Sequence, residues 1–266
     1  MIIWLSSYPK SGNTWLRSLI SNYFFSKDGN FNFDLIKQID SFPSPKFFRN
    51  YEDKFEKPED TSKYWIKEQE KINSLNKIFF FKTHNALCKI NGNKFTDINN
   101  TLAAIYIIRD PRNVVTSIAN HYQITTQNAF DFMKDRNRGI IEKEGNRYTG
   151  FQPLFSWDLH LKSWTENTLY PSLIIKYEDL ITDTTFTFKK VLEFIKKITK
   201  SKNDIDEKKL LKCVENCKFS NLKKMEEEKG FDESMLDKKT GNKITFFNLG
   251  EKNNFRDILE KNLIDE

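Results

Sequence analysis

Four short runs of apolar, β-favouring residues punctuate the chain: Ile2–Ser7, Ile78–Lys82, Ala103–Arg109 and Leu173–Tyr177. Nearly continuous apolarity over so few residues predicts strands buried on both faces, as in a parallel sheet covered by helices. Between the runs the spacing changes to that of an amphipathic helix. Trp15, Leu16, Leu19, Ile20 and Tyr23 share one face, as do Val114, Val115, Ile118 and Tyr122. Leu154–Leu169, with Trp157, Leu161 and Trp164, reads the same way, as do Phe188, Val191, Leu192 and Ile195. Strand–helix alternation predicts an α/β, doubly wound fold. No linker divides two cores, so residues 1–266 read as a single domain.

Two stretches depart from this pattern. Gly29 to about Ser74 is polar, aromatic and proline-containing, and Ser41-Phe42-Pro43-Ser44-Pro45 is irregular. Ser220 to about Thr245 is rich in Lys and Glu and carries Gly230 and Gly241. Connections this long are either disordered or functional covers over a site.

Composition narrows the classes. The 266 residues include 24 Phe and 5 Trp and are 38% hydrophobic, enough for a real core, which excludes wholesale disorder. The longest apolar run, Leu102–Ile108, falls far short of the ~18–20 residues of a membrane helix. Met1–Leu5 has no basic region before it and reads as a buried strand, not a signal peptide, so the expected location is the cytoplasm. The net charge of +6 comes from Lys interleaved with Glu and Asp, which argues against a nucleic-acid polymer as partner. Cys88, Cys213 and Cys217 are too few for a disulfide framework, and no His lies near the Cys213–Cys217 pair, so no metal is expected.

The first strand runs into Ser6-Ser7-Tyr8-Pro9-Lys10-Ser11-Gly12-Asn13-Thr14-Trp15, and a helix follows at once. Such a turn can cradle an anion: Gly12 permits close backbone approach, amides point outward from the helix start, and Lys10, Ser11 and Thr14 add a charge and two hydroxyls. The same residues would also make an ordinary capped strand-to-helix turn. The Walker pattern G-x-x-x-x-G-K-[ST] is absent, because Lys10 precedes the glycine. The second strand ends in Lys82-Thr83-His84, where an Mg-nucleotide kinase would carry a carboxylate.

Four segments in this order resemble the PAPS-dependent sulfotransferase family. Tyr8–Trp15 resembles its 5′-phosphosulfate loop, Phe81-Lys82-Thr83-His84 its catalytic strand end, and Ile105–Ser117 its 3′-phosphate segment. Lys176-Tyr177-Glu178-Asp179-Leu180 is similar to a further landmark. The resemblance implies a P-loop-NTPase-like three-layer sandwich and 3′-phosphoadenosine 5′-phosphosulfate (PAPS) as sulfuryl donor. It implies Lys10, Ser11, Gly12, Asn13 and Thr14 around the 5′ end, and Arg109 and Ser117 on the 3′-phosphate. It further implies Trp15, Tyr177 and Phe219 at the adenine side, Gly250 in the C-terminal segment that closes over the 3′-phosphate, and His84 as general base with Lys10 and Lys82 stabilising charge. A plainer reading pairs Arg109 with Asp110 or Asp179, and packs Trp15, Tyr177 and Phe219 in the core. His121 and His160 lie in helical patterns and read as structural. Near the C-terminus, Asn248 and Leu249 replace the family's basic pair, which brings in Lys252 or Arg256 as a substitute cation.

The reaction implied is sulfuryl transfer to an acceptor hydroxyl of a carbohydrate, lipid or small alcohol, with residues 30–77 and 123–151 bordering the acceptor and 220–254 as a lid. A non-catalytic 3′-phosphoadenosine-nucleotide binder and a P-loop small-molecule kinase are the competing readings.

Overall fold

The computed structural model describes residues 1–51, 54–237 and 240–266. Glu52 and Asp53 of the expected acceptor segment, and Lys238 and Lys239 of the expected lid, lie outside the described residues.

The chain runs β1 (Ile2–Ser6), α1 (Asn13–Phe25), α2 (Phe33–Ile36), β2 (Asp40–Ser41), α3 (Pro45–Phe48), α4 (Trp65–Asn73) and β3 (Phe79–Thr83). A small β4–β5 hairpin (Lys89–Ile90, Asn93–Lys94) precedes β6 (Thr101–Ile108), α5 (Pro111–Tyr122) and α6 (Thr126–Lys134). A second hairpin, β7–β8 (Gly139–Glu144, Arg147–Pro153), leads to α7 (Trp157–Thr165) and β9 (Ser172–Lys176). The chain finishes with α8 (Tyr177–Thr182), α9 (Thr184–Thr199), α10 (Glu207–Asn216), α11 (Phe219–Lys229) and α12 (Lys261–Asp265).

Alternation along the strands explains the layers. Every residue of β1 is buried; Ile3 and Leu5 enter one apolar cluster and Ile2 and Trp4 the other. In β6, Ile105 and Ile107 join the first cluster and Ala104 and Tyr106 the second. Side chains of successive strand residues point to opposite faces, so a strand apolar at every position needs cover on both. The first cluster includes Leu16, Leu19 and Ile20 of α1 with Val191 and Leu192 of α9; the second includes Phe42, Trp65, Phe95 and Trp164.

The central sheet is parallel, in the order β2-β3-β1-β6-β9. From β1 the chain passes to the edge strand β2 and back to β3 on one side, then to β6 and β9 on the other. Ligands of such sheets bind beyond the carboxyl ends of the strands where the winding reverses. Ser6 pairs with Thr83 on one flank and Tyr106 on the other, so the Ser7–Gly12 loop, His84 and Arg109 leave the same edge of the sheet.

The expected α/β sandwich is what forms, with some boundaries and gaps corrected. The helix read over Leu154–Leu169 is shorter, because β8 continues to Pro153 and Ser156 sits at the cap of α7. Tyr177 opens α8 instead of closing β9. The stretch read as irregular from Gly29 to Ser74 holds α2, α3, α4 and the edge strand β2. Most of the first half of the Lys/Glu-rich stretch is α11, whose Leu222 is buried. The β7–β8 hairpin had no period clear enough to predict it. Among the described residues no helix is long and apolar enough to cross a membrane, and no group of three His, Cys, Asp or Glu could hold a metal.

Candidate active site

Asn13, the first residue of α1, folds the opening loop onto β1. Its Nδ2 donates to Leu5 O (2.9 Å) and Ser7 Oγ (3.2 Å), and the carboxamide is buried. Gly12 stands at the cap of α1 with φ 100°, and a Cβ there would meet the Tyr177 ring at 2.4 Å. Only glycine fits this combination of left-handed backbone and close approach. Lys10 also takes a left-handed conformation, φ 65°, a cost that the folded surroundings must offset. Its ammonium lies 3.7 Å from the centre of the Phe246 ring.

These residues wall a cavity of about 760 Å³. Lys10, Gly12, Asn13, Thr14 and Trp15 line it with Lys82, His84, Arg109, Ser117, Tyr177, Phe219 and Gly250, so the structure brings twelve of the sequence-predicted residues to one site. Ser11 lies behind the wall, buried, its Oγ without a hydrogen-bond partner among the described residues. Lys252 is exposed and off the wall; the chain instead turns in Asn253, which accepts from Thr116 Oγ1 (2.8 Å) and donates to Asn113 O (3.0 Å).

His84 follows β3. Its backbone N–H donates to Gln152 Oε1 (3.1 Å) and its carbonyl lies 3.0 Å from His160 Nε2. The ring Nδ1 lies 2.8 Å from Ser7 O and 3.3 Å from Ser7 Oγ. A carbonyl can only accept, so Nδ1 carries the proton and Nε2 keeps a lone pair. Burial and the neighbouring Lys82 charge push the imidazole well below its usual range, so it is neutral at pH 7. His160 keeps its structural role: fully buried, it ties the His84 carbonyl to Tyr106 OH, 3.0 Å from its Nδ1.

Arg109 directly follows β6 and is buried, with its guanidinium stacked 4.3 Å from the Tyr177 ring centre and Nη1 donating to Lys10 O (3.1 Å). It forms no ion pair among the described residues, and its Nε has no partner there. Asp110 is engaged elsewhere, capping α5 through Arg112 N–H and pairing with the Arg112 side chain (2.7 Å). A buried guanidinium with an unmet donor is poised for an anion from outside the fold. Trp15 Nε1 donates to Cys217 O (2.8 Å), which fixes the indole plane edge-on to Tyr177. Gly250 lets the chain pass against the Phe219 ring, where a Cβ would lie 2.6 Å from a ring carbon.

The wall also holds residues that the sequence did not place in the site, among them His121, which reads there as structural, and Glu233. His121, one turn beyond Ser117 on α5, packs edge-on against Phe246; burial and then Lys10 and Lys82 lower its pKa to about 3. Glu233 reaches in from the segment after α11, accepting from Thr14 Oγ1 (3.2 Å) and pairing with Arg17 and with Lys82 Nζ (3.4 Å). A glutamate in a Lys/Glu-rich stretch looks solvated in sequence; only the suspicion that this stretch covers a site pointed toward it.

A cradle at a helix start, two lysines, a buried arginine and a neutral imidazole therefore face one cavity. The chain matches the family model of the sulfotransferase domain over residues 2–265. It belongs to the sulfotransferase family. This sulfotransferase shares its fold with mouse sulfotransferase SULT7A1 complexed with PAP, at TM-score 0.59 and 18% identity, covering 99% of this chain and 80% of that one. It is also similar to retinol dehydratase with androsterone and inactive cofactor PAP (TM-score 0.56, 16% identity, 99% and 77% covered). Retinol dehydratase with retinol and PAP gives TM-score 0.60 at 16% identity, with 99% and 78% covered. No curated protein matches the chain by sequence.

Proposed function

We propose that this sulfotransferase transfers a sulfuryl group from PAPS to the hydroxyl of a small acceptor with an apolar body, His84 serving as general base. One observation carries the reading: Ser7 O occupies Nδ1 of a neutral His84, leaving the Nε2 lone pair beside Lys82 on the wall of a cavity that also holds the cradle. The fit to a 3′-phosphorylated donor rests on Arg109, whose buried Nε lacks a partner among the described residues, and on Ser117 on the same wall. The similar structures support both halves: each is a complex with PAP, and two also hold retinol or androsterone. On the acceptor side, Tyr122, Ile124, Ile140 and Ile258 offer an apolar wall.

The donor supplies a sulfuryl group bonded to a phosphate leaving group. His84 Nε2 takes the acceptor proton as the new O–S bond forms. Lys10, Lys82 and the amides at the start of α1 face the charge that builds on the departing phosphate, each such donor supplying about 2–4 kcal/mol of transition-state stabilisation. Binding both reactants in this one cavity holds them in line.

The test is transfer of label from ³⁵S-PAPS to a panel of phenols, sterols, alcohols and sugars, with competition by 3′-phosphoadenosine 5′-phosphate and ATP. Transfer blocked by the bisphosphate and not by ATP is expected. Binding of the bisphosphate with no transfer to any member would favour a non-catalytic role.

Lys10 gives the site a pH dependence. Burial, opposed by Glu233, lowers its pKa to about 7. A bound anion favours the ammonium form, so above pH 7 each binding event must also take up a proton, and affinity falls by up to about tenfold per pH unit. Calorimetric titration of the bisphosphate between roughly pH 6 and 9 should show this decline, and Lys10→Arg, charged throughout, should flatten it.

A further inference from the structure

Among the described residues Glu233 is the sole acidic group on the wall of the cavity that holds the cradle, a wall that also carries Lys10, Lys82 and Arg109. Its carboxylate sits on two of the groups assigned to the donor's 5′ end, Thr14 Oγ1 at 3.2 Å and Lys82 Nζ at 3.4 Å. On its other side it pairs with Arg17, whose side chain is 3% exposed, and it also borders a separate pocket of about 410 Å³ beyond Arg17. The carboxylate thus stands between the donor cavity and that second pocket.

A structural strut would be the plainer role, but the segment is anchored without it. The neighbouring Ser234 donates to Glu226 Oε1 (2.7 Å), and the same carboxylate accepts the backbone N–H groups of Phe246 (2.7 Å) and Phe247 (2.8 Å). Phe231 is buried and packs on Phe33, Phe246 and Phe247. These contacts fix the path of the chain on both sides of Glu233.

We propose that Glu233 is an internal ligand of the cradle, holding Thr14 and Lys82 until the 5′-phosphosulfate end of the donor takes them over. The Thr14 hydroxyl has one proton to give, and it is directed at Glu233. A phosphate seated on the same hydroxyl would meet the carboxylate at contact distance, two like charges in a site sheltered from water. Donor and Glu233 are therefore alternatives at these two groups, and the donor's apparent affinity is reduced by the fraction of molecules in which Glu233 occupies them. Meanwhile the internal carboxylate keeps a buried cluster of cations neutralised, which stabilises the empty site. This inference rests on reading the cavity as the donor site.

The test compares Glu233→Gln with the natural protein by calorimetric titration of two probes, 3′-phosphoadenosine 5′-phosphate and adenosine 3′-monophosphate. Only the first carries the anion that competes with Glu233. We expect Glu233→Gln to bind the bisphosphate at least about tenfold more tightly, with the monophosphate changed by less than about twofold. Unchanged or weaker bisphosphate binding, with monophosphate binding retained, would overturn the proposal. Absence of bisphosphate binding in both proteins would instead remove the donor-site reading, and the proposal with it. If Glu233→Gln fails to fold, the double variant Arg17→Met/Glu233→Gln, which removes both charges of the buried pair, must show the same split between probes.

Discussion

Replacing His84 with alanine lowers turnover by roughly 10²–10⁴-fold, the range a positioned general base contributes. Binding of 3′-phosphoadenosine 5′-phosphate stays within about threefold, because the ring makes none of the contacts assigned to phosphate; its polar contacts among the described residues are both with Ser7. Single-turnover transfer separates the two effects, since it reads chemistry at saturating donor. The pH profile adds a second readout. Burial and Lys82 hold the free imidazole well below 6.5, so the acid limb of kcat/KM for the acceptor lies below that pH. The Ser7 contact orients the ring, so Ser7→Ala keeps one of its two anchors, the backbone carbonyl, and costs far less. Undiminished turnover in His84→Ala would remove the residue from the mechanism.

Arg109→Ala has the second large effect, and its signature is selectivity. Hydrogen bonds to charged groups are worth about 1.5–3 kcal/mol, so bisphosphate binding weakens by roughly 10–100-fold. AMP, which lacks the 3′-phosphate, is expected to lose only a few-fold, through the Lys10 carbonyl that Arg109 also steadies. Arg109→Lys keeps the charge and loses the fork stacked on Tyr177, so it recovers only part of the affinity. Calorimetry on both nucleotides gives the ratio; equal losses for the two would return Arg109 to a purely structural role.

The residues that build the sheet and its cradle were legible because their physics is local. A strand apolar at every position, such as Ile2–Leu5, has few ways to be buried, and a strand followed within six residues by a glycine and a helix start announces its turn. Lys82, His84 and Arg109 were legible for the same reason, standing where apolar runs stop. What stayed hidden depends on contacts distant in sequence. Glu233 lies 219 residues from Thr14, and nothing in its neighbours distinguishes it from a solvated glutamate. His121 shares a helix face with Ser117, but its packing on Phe246 arises only when the C-terminal segment folds across the cavity. Lys252 was chosen for its charge, whereas backbone turns beyond Leu249 decide which side chain faces inward, and they present Asn253.

The clasp on the His84 backbone has a practical corollary for redesign. Gln152 belongs to β8, so the hairpin proposed to border the acceptor also holds the amide of the proposed base, His84. A chimera that grafts a foreign hairpin to alter acceptor preference would loosen that residue unless a glutamine, or another side-chain acceptor of equal reach, is retained at position 152. Transplants that keep it should trade one acceptor for another at comparable rates, and those that discard it should slow on every acceptor alike.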